Sequence, residues 1–116
     1  MEDLQMTKKI NNTDALYSKG VALAKQRKFD EAIACFDKVL EIDPNHAGAL
    51  LDKVGTLNNV GVALQKQGKY QEAMIYYNKA LKINPDFDIA LRNAQIAQCV
   101  LLEQYYQQRR AATNIN

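Results

Sequence analysis

Few side chains in this sequence carry reactive groups, and their spacing is poor for catalysis. His46 is the one histidine, and it follows Asp43-Pro44-Asn45. A general base or a metal ligand needs partners of the right type nearby. None stands near His46, so an exposed loop histidine is expected. Cys35 and Cys99 lie far apart in the chain, which is no metal-ligand spacing. Both are expected to be reduced packing residues. There is no phosphate loop, nucleophile elbow or metalloprotease pair. Asn11-Asn12-Thr13 has the form of a glycosylation acceptor, which stays silent without export. The tyrosines at 70, 76, 77, 105 and 106 are expected to pack or to line an interface rather than to stack on bases. The lysines are dispersed, and only Arg109-Arg110 are paired. The expectation is a non-enzymatic protein with no metal and no cofactor.

Composition agrees. The chain has 116 residues, 47% hydrophobic and 24% charged, enough for a single soluble domain with one core. Fifteen basic against 13 acidic residues leave a net charge of +2, which supplies no footprint for nucleic acid or an anionic membrane. No apolar run is long enough to span a bilayer. Met1-Glu2-Asp3-Leu4-Gln5 lacks the basic-then-apolar pattern of an export signal, so a cytoplasmic location is expected.

Whatever the chain does must therefore come from how its elements are stacked, and the sequence repeats itself. Ala15-Leu16-Tyr17-Ser18-Lys19 aligns with Ala49-Leu50-Leu51-Asp52-Lys53 at one offset. From Gly20-Val21-Ala22-Leu23 over Gly61-Val62-Ala63-Leu64 the offset is longer, and it holds as far as Asp43-Pro44 over Asn84-Pro85. The second copy thus has seven extra residues, Val54 to Val60. Each copy predicts two helices. Leu16, Gly20 and Leu23 mark the first helix of one copy, and Leu57, Gly61 and Leu64 that of the other. Ala32, Ile33, Phe36, Val39 and Leu40 mark the second helix, matched by Ala73, Met74, Tyr77, Ala80 and Leu81. Asp30 is the expected N-cap of the second helix in the first copy. The residue before each proline is pushed out of the helical region, so both second helices stop there. Gly20 and Gly61 are expected to let the second helix approach closely.

This arrangement resembles the tetratricopeptide repeat (TPR). The resemblance is carried by Leu16, Gly20, Leu23, Phe29, Ala32, Phe36 and Pro44. In the second copy it is carried by Leu57, Gly61, Leu64, Gly68, Tyr70, Ala73, Tyr77, Ala80, Leu81 and Pro85. Val39 and Lys19 depart from it, standing where alanine and leucine are common. It implies an all-α fold with one repeat at 13–46 and a second at 47–87 whose first helix is lengthened at 54–60. A long C-terminal capping helix at 88–110 follows. Residues 1–12 are expected to be a flexible segment or a helix extension, and 111–116 a disordered tail.

Seven residues make almost two helical turns, so the extra segment lengthens a helix without rotating its buried face. One helix from Ala47 to Gln67 is expected; the rival is a break at Gly55-Thr56. A continuous helix would overhang the ordinary repeat, and the last helix would overhang its other end. Both overhangs are apolar: Leu50, Leu51 and Val54 in one, Val100, Leu101, Leu102, Tyr105 and Tyr106 in the other. Burying one leucine is worth roughly 1.5–3 kcal/mol, so a two-fold homodimer is expected. The rival is a monomer in which Met6 and Ile10 extend the first helix and cover one overhang. The cap-like run Asn11-Asn12-Thr13-Asp14 argues against that extension.

The resemblance also implies a concave face that receives a peptide or a helix from a protein partner. By position this face presents Tyr17, Val21 and Lys25, then Asn58, Asn59, Val62 and Lys66, then Arg92, Asn93 and Ile96. Asparagine offers a donor and an acceptor to a peptide backbone, and Arg92 and the lysines suit a carboxylate. Some family members grip acidic chaperone C-termini with two lysines, two asparagines and an arginine. Only Asn59 fits that set, because Tyr17, Val21, Ile89 and Asn93 occupy the other positions. The expected function is a protein-interaction scaffold that self-associates. The alternative is an assembly element whose only partner is itself.

Overall fold

In the computed structural model the described residues are 2–113, with side chains from residue 12 onward. They form five helices and no strand: α1 (Glu2–Lys25), α2 (Phe29–Ile42), α3 (Ala47–Lys66), α4 (Tyr70–Ile83) and α5 (Asp88–Thr113). Residues 114–116 of the expected tail lie outside the described residues. Ala111 to Thr113 do not fray: they are helical, and the Thr113 hydroxyl donates to the carbonyls of Arg109 and Arg110 at 3.0 and 2.9 Å.

The turns repeat in atomic detail. After α1, the N–H of Arg27 reaches Ala24 O at 3.0 Å and the N–H of Lys28 reaches Leu23 O at 2.9 Å. After α3, the N–H of Gly68 reaches Gln65 O and that of Lys69 reaches Leu64 O, both at 2.9 Å. This is the helix-ending pattern in which one residue turns left-handed. Gly68 does so freely at φ 80°, whereas Arg27 does so at φ 63° with its guanidinium 5.7 Å from the Phe29 ring. Asp30 is not the N-cap of α2. The turn closes early enough for α2 to begin at Phe29, so Lys28 holds the cap position without a side-chain bond and Asp30 joins the first turn. Asp43 and Asn84 end α2 and α4 in extended conformation before their prolines. Each then accepts a backbone N–H two residues on, from Asn45 and Asp86, at 3.2 Å.

Two compact units divide the chain after Leu57. In the first, Ala32, Phe36, Val39 and Ala49 are fully buried, with Leu16, Tyr17, Val21, Leu23 and Leu40 packed around them. In the second, Ala73, Tyr77, Ala94 and Ala97 hold the centre with Val62, Leu64, Tyr70, Met74 and Leu81. Gly20 and Gly61 do what their positions predicted. A Cβ on Gly20 would fall 2.6 Å from the Phe36 ring, and one on Gly61 would fall 2.7 Å from Cδ1 of Tyr77.

Helix α3 belongs to both units and is unbroken. Thr56 does not start a new helix; its hydroxyl donates back to Asp52 O at 2.7 Å. Neither does the run Asn11-Asn12-Thr13-Asp14 cap α1, which continues back to Glu2. Asparagine, threonine and aspartate cost a helix interior only about 0.5–0.7 kcal/mol each, and Thr13 is buried. What Met6 and Ile10 touch lies outside the described side chains. The added length is therefore not confined to the second copy. All three odd-numbered helices are long, and the register that lays Gly20 over Gly61 also lays Ala47 over Asp88, the first residues of α3 and α5.

Gly55 has nothing within 4 Å of where a Cβ would stand and lies mid-helix. Gly55→Ala is thus expected to raise stability by about 1 kcal/mol, read as a higher urea midpoint with an unchanged slope.

Candidate functional site

In the first unit the expected face is largely engaged by the fold. The Tyr17 hydroxyl donates to Asp52 Oδ2 at 2.5 Å, and its ring lies 6.1 Å from Phe36 and 5.0 Å from His46. Gly48 leaves room for that ring: a Cβ there would stand 2.9 Å from Tyr17 Cζ. The Asp52 bond, then burial, push the Tyr17 phenol above its ordinary 10.0. Val21 is half-buried on the core, and only Lys25 is exposed. Beside them Lys53 pairs with Asp37 at 2.6 Å.

His46 is not an idle loop residue. It is half-buried, and its Nδ1 accepts the N–H of Ala49 at 3.0 Å, capping α3. The signal was positional: His46 stands just before the first residue of α3. His46→Ala is expected to cost about 1 kcal/mol and His46→Asp to recover most of it, compared by thermal melting.

In the second unit, and in the register that lays Gly20 over Gly61, Asn58 stands in the place of Tyr17 and Asn93 in that of Asp52. The Nδ2 of Asn93 donates to Asn58 Oδ1 at 3.0 Å. Asn58 is 6% exposed, so it is no free hand for a peptide; the amide that sequence placed in the groove joins α3 to α5 instead. Asn59, Lys66, Arg92 and Ile96 remain exposed, with Val62 half-buried. The same helix positions are thus cross-linked by a polar pair in each unit.

The tetratricopeptide repeat family model matches residues 13–46 and 55–87. This chain belongs to the tetratricopeptide repeat family. No curated protein matches it. TPR repeats mediate protein–protein interaction, so the faces that matter are those the helices leave uncovered. The match omits residues 47–54, whereas aligning the two copies sets the extra segment at 54–60. A two-turn addition inside a continuous helix has no unique position.

Of the expected self-association residues in this TPR chain, Val54 is excluded: it is 2% exposed in the seam of α3. Leu50 is half-buried, and only Leu51, 63% exposed, stays free there. The overhang is covered because α3 packs its front half on α2 through Ala49. The far end of α5 is different. Val100 and Leu101 are half-buried, and Leu101 lines an open cleft of about 220 Å³ with Tyr70 and Gln104. Leu102, Tyr105 and Tyr106 stand about half exposed or more. The two tyrosine rings meet edge-on at 5.6 Å, and Arg109 donates to the Tyr105 hydroxyl at 3.0 Å. Leu102 occupies the position of Gly20 and Gly61, so α5 lacks the notch by which a further helix would dock. Among the described residues no three His, Cys, Asp or Glu side chains gather as a metal site, and no helix is long and apolar enough to cross a membrane.

Burial raises the Tyr77 phenol as well. A phenol with a raised native pKa contributes stability below the unfolded value of 10.0 and loses it as pH climbs through the native value. Stability is therefore expected to fall above pH 10, and Tyr17→Phe, which starts from a lower value near neutral pH, should show a shallower fall in melts taken across that range.

Proposed function

We propose that this chain is a non-catalytic scaffold that holds another polypeptide on the exposed face of its second unit and pairs with a second copy of itself through α5. The observation that carries it is the number of large apolar side chains left open on that one helix: Ile89, Ile96, Leu102, Tyr105 and Tyr106 are each 47–62% exposed. Large apolar side chains left exposed together on one element point to an interaction site. Asn59 and Lys66 suit a peptide backbone and its carboxylates. The free thiols of Cys35 and Cys99 fit a reducing, cytoplasmic setting.

Sedimentation velocity across a wide concentration range tests the self-association: a dimer that the Leu102→Glu/Tyr106→Glu pair splits supports it, and a monomer throughout overturns it. For the peptide face, Asn59→Ala/Lys66→Ala should abolish capture of a bound polypeptide while the dimer persists. Capture unchanged by that pair sinks the assignment. The assembly-only reading draws support from Asn58 and Asn93, whose mutual bond takes them out of peptide recognition.

A further inference from the structure

Ile89, Arg92, Ile96, Cys99, Glu103 and Tyr106 step along α5 by three and four residues in alternation. That spacing keeps them in one line on a helix. All six are exposed. Ala90, Ala94 and Ala97 are buried and mark the side turned to α4, so the line lies roughly 155° round the helix from them. Neither Arg92 nor Glu103 has an ion-pair partner among the described residues.

We propose that α5 pairs antiparallel with α5 of a second copy along this line, with Ile96 facing Cys99, Arg92 facing Glu103 and Ile89 facing Tyr106. This rests on the self-association reading and names the surface that performs it. The three facing pairs have the same residue-number total, which is the condition for two antiparallel helices to bring all of them level at once. Two-fold symmetry then makes each contact twice. Apolar pairs occupy the centre and both ends, with one ionic pair between centre and end on each side. Parallel helices would set Arg92 against Arg92 and Glu103 against Glu103, and facing like charges repel. The line is its own complement in one direction only, and that selects a second copy over a foreign helix.

The test is a charge swap read by sedimentation velocity, with circular dichroism confirming that each variant stays helical. Both positions are exposed, so folding is unaffected. Arg92→Glu and Glu103→Arg should each weaken the dimer about tenfold or more, because each sets two like-charged pairs face to face. The double variant, Arg92→Glu with Glu103→Arg, should return to within about threefold of the original affinity. A short bismaleimide should also link two copies through Cys99, which lies beside the axis, and Cys35 is buried out of reach. A double variant as weak as either single, or a dimer indifferent to all three, overturns this seam while leaving self-association by another surface intact. A wild-type chain that is monomeric throughout overturns both.

Discussion

Gly61→Leu is expected to destabilise the second unit by about 3 kcal/mol, the upper end of what overpacking costs. Two terms oppose each other. Removing a glycine from a helix interior gains about 1 kcal/mol. Against it, the first carbon of the new side chain lands 2.7 Å from Cδ1 of Tyr77, and three more carbons must follow. The ring cannot swing away, because it is fully buried and its hydroxyl is tied to Gln65 Oε1 at 2.7 Å. The clash therefore wins, and α4 must lift from α3. A urea titration followed by tyrosine fluorescence reads it directly; a midpoint equal to wild type would mean that Tyr77 repacks freely. Gly55→Ala, earlier in the same helix, supplies the control with the opposite sign.

Phe36→Ala is expected to cost the first unit about 3–5 kcal/mol. Phe36 is completely buried, fills the space left by Gly20, and lies against the Tyr17 ring. Alanine would leave a void lined by Val39, Ala32 and Ala49. Small domains hold only about 5–15 kcal/mol in all, so this loss takes a large share. Because each unit has its own buried centre, the melt should broaden as the first unit opens before the second. Coincident, sharp loss of both would show instead that α3 transmits the damage whole.

Much of the architecture was legible in the sequence, for reasons that can be named. Gly20 and Gly61 recur where a bulky ring crosses, and Pro44 and Pro85 stop their helices sterically. Local rules of that kind survive folding. The misreadings share another cause. Asn11 to Asp14 looks like a cap because those side chains favour caps, yet a propensity of a few tenths of a kilocalorie per residue yields to a helix that continues through a buried Thr13. Val54 looks like loose apolar surface only while α3 is imagined beside an ordinary short repeat; the packing of its front half on α2 buries it. Asn58 looks like a peptide grip until Asn93 claims it, a contact between different helices far apart in sequence. The cap made by His46 was hidden by its type, since histidine is seldom counted among N-cap residues. The residues of α5 could be read off as apolar from sequence, but which side of that helix faces α4 could not.

The spacing that carries Gly20 to Gly61, and Gly61 to Leu102, has a consequence for how such a chain can lengthen. The front half of α3 serves the unit before it and its back half the unit after. A tandem duplication of one such period therefore inserts one finished unit wherever the copied segment begins, with every helix rejoined in phase. A duplication of any other size strands half a helix with its greasy side unmatched. Growth by copying is in that sense quantised, and the quantum is one long helix with one short one.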